Sequence, residues 1–196
     1  MPTSSSFGVS DYASKEHERL PAAVVCRVLQ LTNVLESREK RLDEWRYCND
    51  PNTAPFERVE HAHRPVVYGV DLDVTGDESR QNTPSKAVYK LLLQDEEGNV
   101  FYGLEMDELP FLHPRTKTTQ NPLPVPLGGT LVIEAGTAVS YGFVLLRRMQ
   151  CRYMLPDLGS PLALQLNDGV VQKYIEVLEQ ELRDIRGAAV GHSRST

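Results

Sequence analysis

Ser37-Arg38-Glu39-Lys40 has the S-x-x-K spacing with which a lysine can activate a serine nucleophile. The S-D-N and K-T-G companions of such sites are missing, so a charged helix start with Ser37 as N-cap is the better reading. Lys40 stands where a capping box would carry Glu, which leaves only half of that signature. His61-Ala62-His63 would place two imidazoles on one face of a strand. A catalytic zinc needs three protein ligands and an open position, and Glu57, Glu60 and Asp71 are only candidates for the third. A solvated loop is favoured there, and no metal or other cofactor is expected. Asp71, Asp73, Asp77 and Glu78 gather acid without the Gly and terminal Glu of a calcium loop, so they read as solvated charge or as a contact for a basic partner. There is no Gly-rich phosphate loop and no nucleophile elbow. The expectation is a protein that is not an enzyme.

What remains is suited to contact. Trp45, Tyr47, Phe56 and Tyr68 are large side chains in or beside a polar stretch. They either pack locally or anchor a partner, because interface hot spots are rich in Trp, Tyr and Arg. Arg147, Arg148 and Arg152 follow an apolar run and are flanked by Tyr141 and Tyr153. Basic residues with aromatic neighbours can bind a single strand of nucleic acid on a small barrel, so these three arginines are the candidates for direct DNA binding. Against that stands the overall charge: Lys+Arg 21 and Asp+Glu 27 give −6, which disfavours a general phosphate-tracking surface and favours protein partners. Cys26, Cys48 and Cys151 are odd in number with no CxxC pair, which points to reduced thiols rather than a disulfide framework. No apolar run reaches the length of a membrane span, so no membrane partner is expected, and no signal peptide is visible.

The elements that must position these residues are short. Residues 1–21 read as a polar, flexible tail. A strand follows over 22–32, where Val24, Cys26 and Val28 alternate before Leu29 and Leu31 take over; that one-residue change of phase predicts a bulge or two-sided burial. A helix is expected over 37–47, closed by Asn49-Asp50-Pro51. Val66, Tyr68, Val70, Leu72 and Val74 alternate within an otherwise polar stretch. Strands at 87–94 and 100–106 flank a turn at Asp95-Glu96-Glu97-Gly98-Asn99. Five prolines between 109 and 126 exclude a regular element there. Strands at 130–135 and 139–146 follow, the second with a bend at Gly142. Residues 156–167 read as a linker. Asp168 caps an amphipathic helix to about 186, on which Val171, Tyr174, Ile175, Leu178, Leu182 and Ile185 form the apolar stripe. Gly187 stops it, and 187–196 reads as a disordered tail. The expected fold is an all-β small barrel of five strands, an OB-fold, spanning 22–186, with a long insertion at about 36–85 between strands 1 and 2 and a C-terminal α-helix at 168–186. A five-stranded sandwich fragment is the alternative.

Three stretches resemble the barrel domain of the RecQ-mediated genome instability protein 1 family. They are Val28-Leu29-Gln30-Leu31-Thr32-Asn33-Val34, then Leu91 to Asp95 with Tyr102-Gly103-Leu104-Glu105 and Leu109-Pro110-Phe111-Leu112-His113, and finally Leu127-Gly128-Gly129-Thr130-Leu131-Val132-Ile133 with Tyr141 to Arg147. Their order and spacing over roughly 23–186 carry the likeness. No counterpart of the family's helical bundle is seen ahead of the barrel. The resemblance implies a non-catalytic scaffold in the nucleus, acting in DNA repair, replication and homologous recombination. Its implied partners are a type IA topoisomerase (topoisomerase III) and a RecQ-family helicase, in the dissolution of double Holliday junctions, with DNA touched only within that complex. The implied effector is the insertion, here about 36–85, and Arg147 falls at the family's basic position ending the last strand. On that reading, removal of 37–84 leaves the barrel folded and weakens control of the topoisomerase.

Overall fold

The computed structural model describes residues 6–53, 87–117 and 119–192. Among the described residues eight strands form one curled mixed sheet: β1 Glu18–Arg19, β2 Val24–Asn33, β3 Tyr89–Asp95, β4 Val100–Glu105, β5 Thr130–Ile133, β6 Ala138–Ser140, β7 Phe143–Leu146 and β8 Cys151–Met154. Their spatial order is β1-β6-β7-β4-β3-β2-β5-β8. Five of them carry the expected barrel: β2, β3 and β4 run as an antiparallel meander, β5 returns to the far side of β2, and β7 lies parallel to β4. The inward rows are apolar, with Val24, Cys26, Val28 and Leu31 of β2, Leu91 and Leu93 of β3, Phe101 of β4, Leu131 and Ile133 of β5, and Val144 and Leu146 of β7 all buried.

The phase change in β2 is a bulge: the register on β3 shifts between Val28 and Gln30, which returns Leu31 to the core. The bend lets one strand serve two neighbours, pairing β5 through Val24–Arg27 and β3 through Cys26–Asn33. The single strand expected at 139–146 is a tight hairpin instead. Tyr141 and Gly142 both have positive φ, 47° and 80°, with Ser140 opposite Phe143. That is the two-residue geometry that suits the twist of a hairpin.

Two expected tails and a linker are folded. Phe7 is 1% exposed, stacks on Tyr12 and packs at a tilt against Phe101, while its N–H donates to Asp95 Oδ2 at 2.8 Å. A short helix, α1 Val9–Tyr12, and β1 on the edge of β6 complete this N-terminal strap, and Leu20 is buried. The expected 1–21 tail therefore joins the fold from Phe7 onward, because two well-placed apolar residues outweigh a polar average. β8, which the sequence pattern did not indicate, lies just ahead of the expected linker, and the linker itself holds α3 Pro161–Asn167, capped by Ser160, whose Oγ accepts from Ala163 N–H, with Pro161 in the first turn. Asp168 closes α3 rather than capping the next helix, and Gly169 at φ 61° makes the break. The last helix, α4 Val170–His192, runs through Gly187 instead of stopping there.

The first part of the insertion is also core. α2 Arg38–Asn49 buries Leu42 and Trp45 against α4, where Ile175, Leu178 and Leu182 are buried. Trp45 stacks on Tyr174 with centroids 4.3 Å apart and planes 13° apart. Arg38–Glu181 at 2.7 Å and Arg46–Glu179 at 2.8 Å flank the contact, though exposed pairs of this kind add little. The Tyr174 hydroxyl accepts from Leu31 N–H at 3.0 Å and donates to the Leu31 carbonyl at 3.1 Å, and burial pushes its pKa up.

Two buried carboxylates fasten the irregular segments. Asp95 accepts from the N–H groups of Phe7, Glu97 and Asn99 and from the Asn99 amide. Burial raises its pKa, but these bonds outweigh burial and hold the carboxyl below its usual range. Glu105 accepts from Tyr89 N–H and Leu109 N–H and lies 2.7 Å from His113 Nε2, which ties down the proline-rich segment.

Trp45→Ala is expected to cost about 3–5 kcal/mol, read as a lowered midpoint in urea unfolding; an unchanged midpoint would show that α2 does not belong to the cooperative unit. A depressed carboxyl pKa gives stability that is present above the unfolded value and lost as pH falls through the folded one. Stability should therefore decline as pH is taken below about 4, and Asp95→Asn should flatten that decline. An identical acid slope in the variant would contradict the role given to Asp95.

Candidate partner-binding surface

The long connection between β2 and β3 leaves and returns at one point. Asn33 Oδ1 accepts from Leu35 N–H at 3.1 Å and from Val88 N–H at 3.3 Å, and Val34 N–H donates to the Val88 carbonyl at 2.8 Å. One side chain thus clamps both ends. Ser37 then caps α2, its Oγ accepting from Lys40 N–H at 3.1 Å, and the Lys40 amine pairs with Glu36 at 2.8 Å. Both members of the S-x-x-K pattern are engaged in building a helix start.

Of the four aromatic residues expected as anchors, Trp45 is 4% exposed and faces Tyr174, so it supports the connection instead of presenting a surface; the partner-anchor reading is corrected in favour of local packing. Tyr47 lies on the same helix and is exposed. Phe56 and Tyr68 lie outside the described residues, as do His61, His63 and the cluster of Asp71, Asp73, Asp77 and Glu78. Because α2 is docked, the insertion proposed at 36–85 begins with folded core. Deleting 37–84 would remove α2 as well and uncover Tyr174 and Leu178, so that deletion is expected to cost stability and is not a clean test of the connection.

A cavity of about 270 Å³ opens beside the clamp, lined among others by Arg41, Trp45, Tyr89, His113 and Tyr174. Burial lowers the pKa of Arg41, Glu181 acting in the opposite direction, and its Nε is buried with no hydrogen-bond partner among the described residues.

The arginines expected for phosphate contact do not form a free basic strip. Arg147 lies 3.7 Å from Asp107, and Arg152 pairs with Glu134 at 2.9 Å. Arg148 opens the short 3-10 turn Arg148–Gln150 ahead of β8. Tyr141 occupies the β6–β7 turn, while Tyr153 stacks on Phe111 with centroids 4.1 Å apart. Tyr153 is thereby committed to holding the proline-rich segment. Two of the thiols are poor nucleophiles: burial pushes Cys26 up strongly and Cys151 up to about 11. Among the described residues no three His, Cys, Asp or Glu side chains gather as a metal site.

The sequence reading missed an outward-facing row on the sheet. Tyr102 of β4 stacks on Phe143 of β7 with centroids 5.8 Å apart, and Lys90 Nζ of β3 lies 4.7 Å over the Tyr102 ring. The signal was present in the alternation of β3 and β4, whose odd-numbered positions point inward and whose Lys90, Leu92 and Tyr102 must therefore share the outer face.

No curated protein matches the chain. A family model described as RMI1, N-terminal OB-fold domain, matches residues 8–155. The match begins within the N-terminal strap and ends just past β8, taking in all eight strands, the clamped connection and the proline-rich segment. With the meander β2-β3-β4, the return of β5 to β2 and the parallel β4–β7 pair inside that span, the chain belongs to the RMI1 N-terminal OB-fold domain family.

Proposed function

We propose that this chain is a non-catalytic, protein-binding accessory subunit of a complex of topoisomerase III with a RecQ-family helicase, active in double Holliday junction dissolution in the nucleus. The observation that carries the reading is the family match over a barrel whose first connection is clamped at Asn33 and braced by α2. A rigid frame with a long connection held at both ends suits a subunit that presents a segment to a partner. Tyr47 on α2 and Arg147 at the end of β7 are the described residues proposed to touch the topoisomerase. DNA is contacted within the complex, since two of the three candidate arginines are engaged with carboxylates and the chain carries −6.

Mixed at micromolar concentration, the chain and the topoisomerase III of the same organism should co-elute from a sizing column. Replacing 54–86 with a short Gly-Ser linker keeps α2 and should leave the melting transition in place while weakening both co-elution and the effect on DNA relaxation. Full control of relaxation by the linker variant would sink the assignment to the connection; absence of any complex would sink the reading as a whole. Tyr47→Ala should loosen the complex roughly tenfold or more, as removal of an interface aromatic does, with stability changed by less than about 1 kcal/mol. Unchanged affinity would remove Tyr47 from the interface.

A further inference from the structure

The outer face of β2–β3–β4 and one side of α4 enclose a groove. It consists of two contiguous depressions of about 320 and 350 Å³ that share Gln30, Leu92 and Val177 as lining. Leu92 and Tyr102 form its floor and Leu166 and Val177 its wall; Val177 is 45% and Tyr102 41% exposed. Exposed apolar side chains gathered in a concave site are the mark of a contact surface rather than of solvent-facing chance.

The charges around that floor are one-sided. Lys90 lies over the Tyr102 ring, and Lys173 Nζ donates to the Gln165 carbonyl at 2.7 Å; neither has a carboxylate partner among the described residues. The two carboxylates lining the groove are already neutralised, Glu36 by Lys40 and Glu181 by Arg38. An acidic chain thus presents, at this place, an apolar floor framed by uncompensated cations. Cations lining a concave site favour an occupant of opposite charge and oppose one of like charge.

We propose that this groove is a docking site for a short acidic segment of a partner protein, carrying large apolar side chains for the floor and carboxylates for Lys90 and Lys173. A single strand of DNA fits less well. Base stacking needs an open aromatic face, and Tyr102 has Lys90 on its ring and Phe143 stacked against it. The site lies on the sheet and α4, so it does not rest on the topoisomerase reading, and that reading survives its failure.

The test is selection of a displayed library of random peptides against the full chain, followed by binding titrations with a synthesised winner. The winners should be enriched in Asp and Glu together with Leu, Ile, Phe or Trp. Their binding should weaken with added salt and fall at least about tenfold on Lys90→Glu with Lys173→Glu, the size expected for lost charge complementarity. Arg148→Glu, away from the groove, should leave binding unchanged. If the double variant is not folded by circular dichroism, Lys90→Gln with Lys173→Gln should show the same loss of binding in smaller measure. No winners, winners without acidic residues, or winners that bind the lysine variants as well as the parent chain would overturn the proposal. So would an oligo-dT probe whose binding is lost with the same lysines, which would make nucleic acid the occupant.

Discussion

Beyond Gly129, the side of β2 that faces away from β3 runs out of strand. Val28 still exchanges hydrogen bonds with Gly128 and Gly129, but Leu31 has no neighbour on that side except the Tyr174 phenol. An unpaired backbone amide and carbonyl in a part-buried position would each cost on the order of 1–3 kcal/mol. One hydroxyl satisfies both, acting as acceptor and donor. That bond fixes where α4 can lie, and with it the ring face on which Trp45 stacks and hence the position of α2. The same placement turns Val177 toward Leu92 and so shapes the groove on the sheet's outer face. The helix is thus a substitute for a missing strand neighbour, and two surfaces of the molecule are set by it.

The irregular segments follow a different rule. The start of the N-terminal strap, ahead of β1, and the proline-rich segment do not pair their backbones in ladders, so their amides need other acceptors. Asp95 and Glu105 supply them from the ends of β3 and β4, each accepting several N–H bonds at once. A carboxylate buried this way is stable only with its full set of donors, which couples the strap to the Asp95 hairpin and the proline-rich segment to β4. Loss of one segment would leave a buried charge short of partners, so local opening at these points is penalised.

Much of the barrel was legible because its strands alternate. The shift from Val28 to Leu31 marked the bulge, and the turn before Val100 marked the hairpin. What was not legible depended on single residues acting at a distance. Phe7 and Leu20 look like isolated apolar residues in a polar tail until Phe101, Asp95 and Thr137 are seen to receive them. The Tyr141-Gly142 turn lacks the usual Asn-Gly signal, although Gly142 satisfied half of it. Ser160-Pro161 was a readable helix start that the surrounding linker composition obscured. Trp45 shows the limit at the site itself. A tryptophan in a polar stretch has the same sequence signature whether it waits for a partner or already has one inside the chain, and only Tyr174, 129 positions away, decides between them.

This placement of Trp45 changes how the connection can work. A segment that orders on binding pays for that ordering from its own contact energy. Here the first turns of the connection are already held by α2, and its two ends are already joined through Asn33. Loop closure is therefore met by folding the barrel rather than by binding. Because the closure cost grows only with the logarithm of length, anchoring the roots matters more than shortening the loop. A clamp that uses one asparagine and one docked helix lets the connection be long while its ends stay fixed.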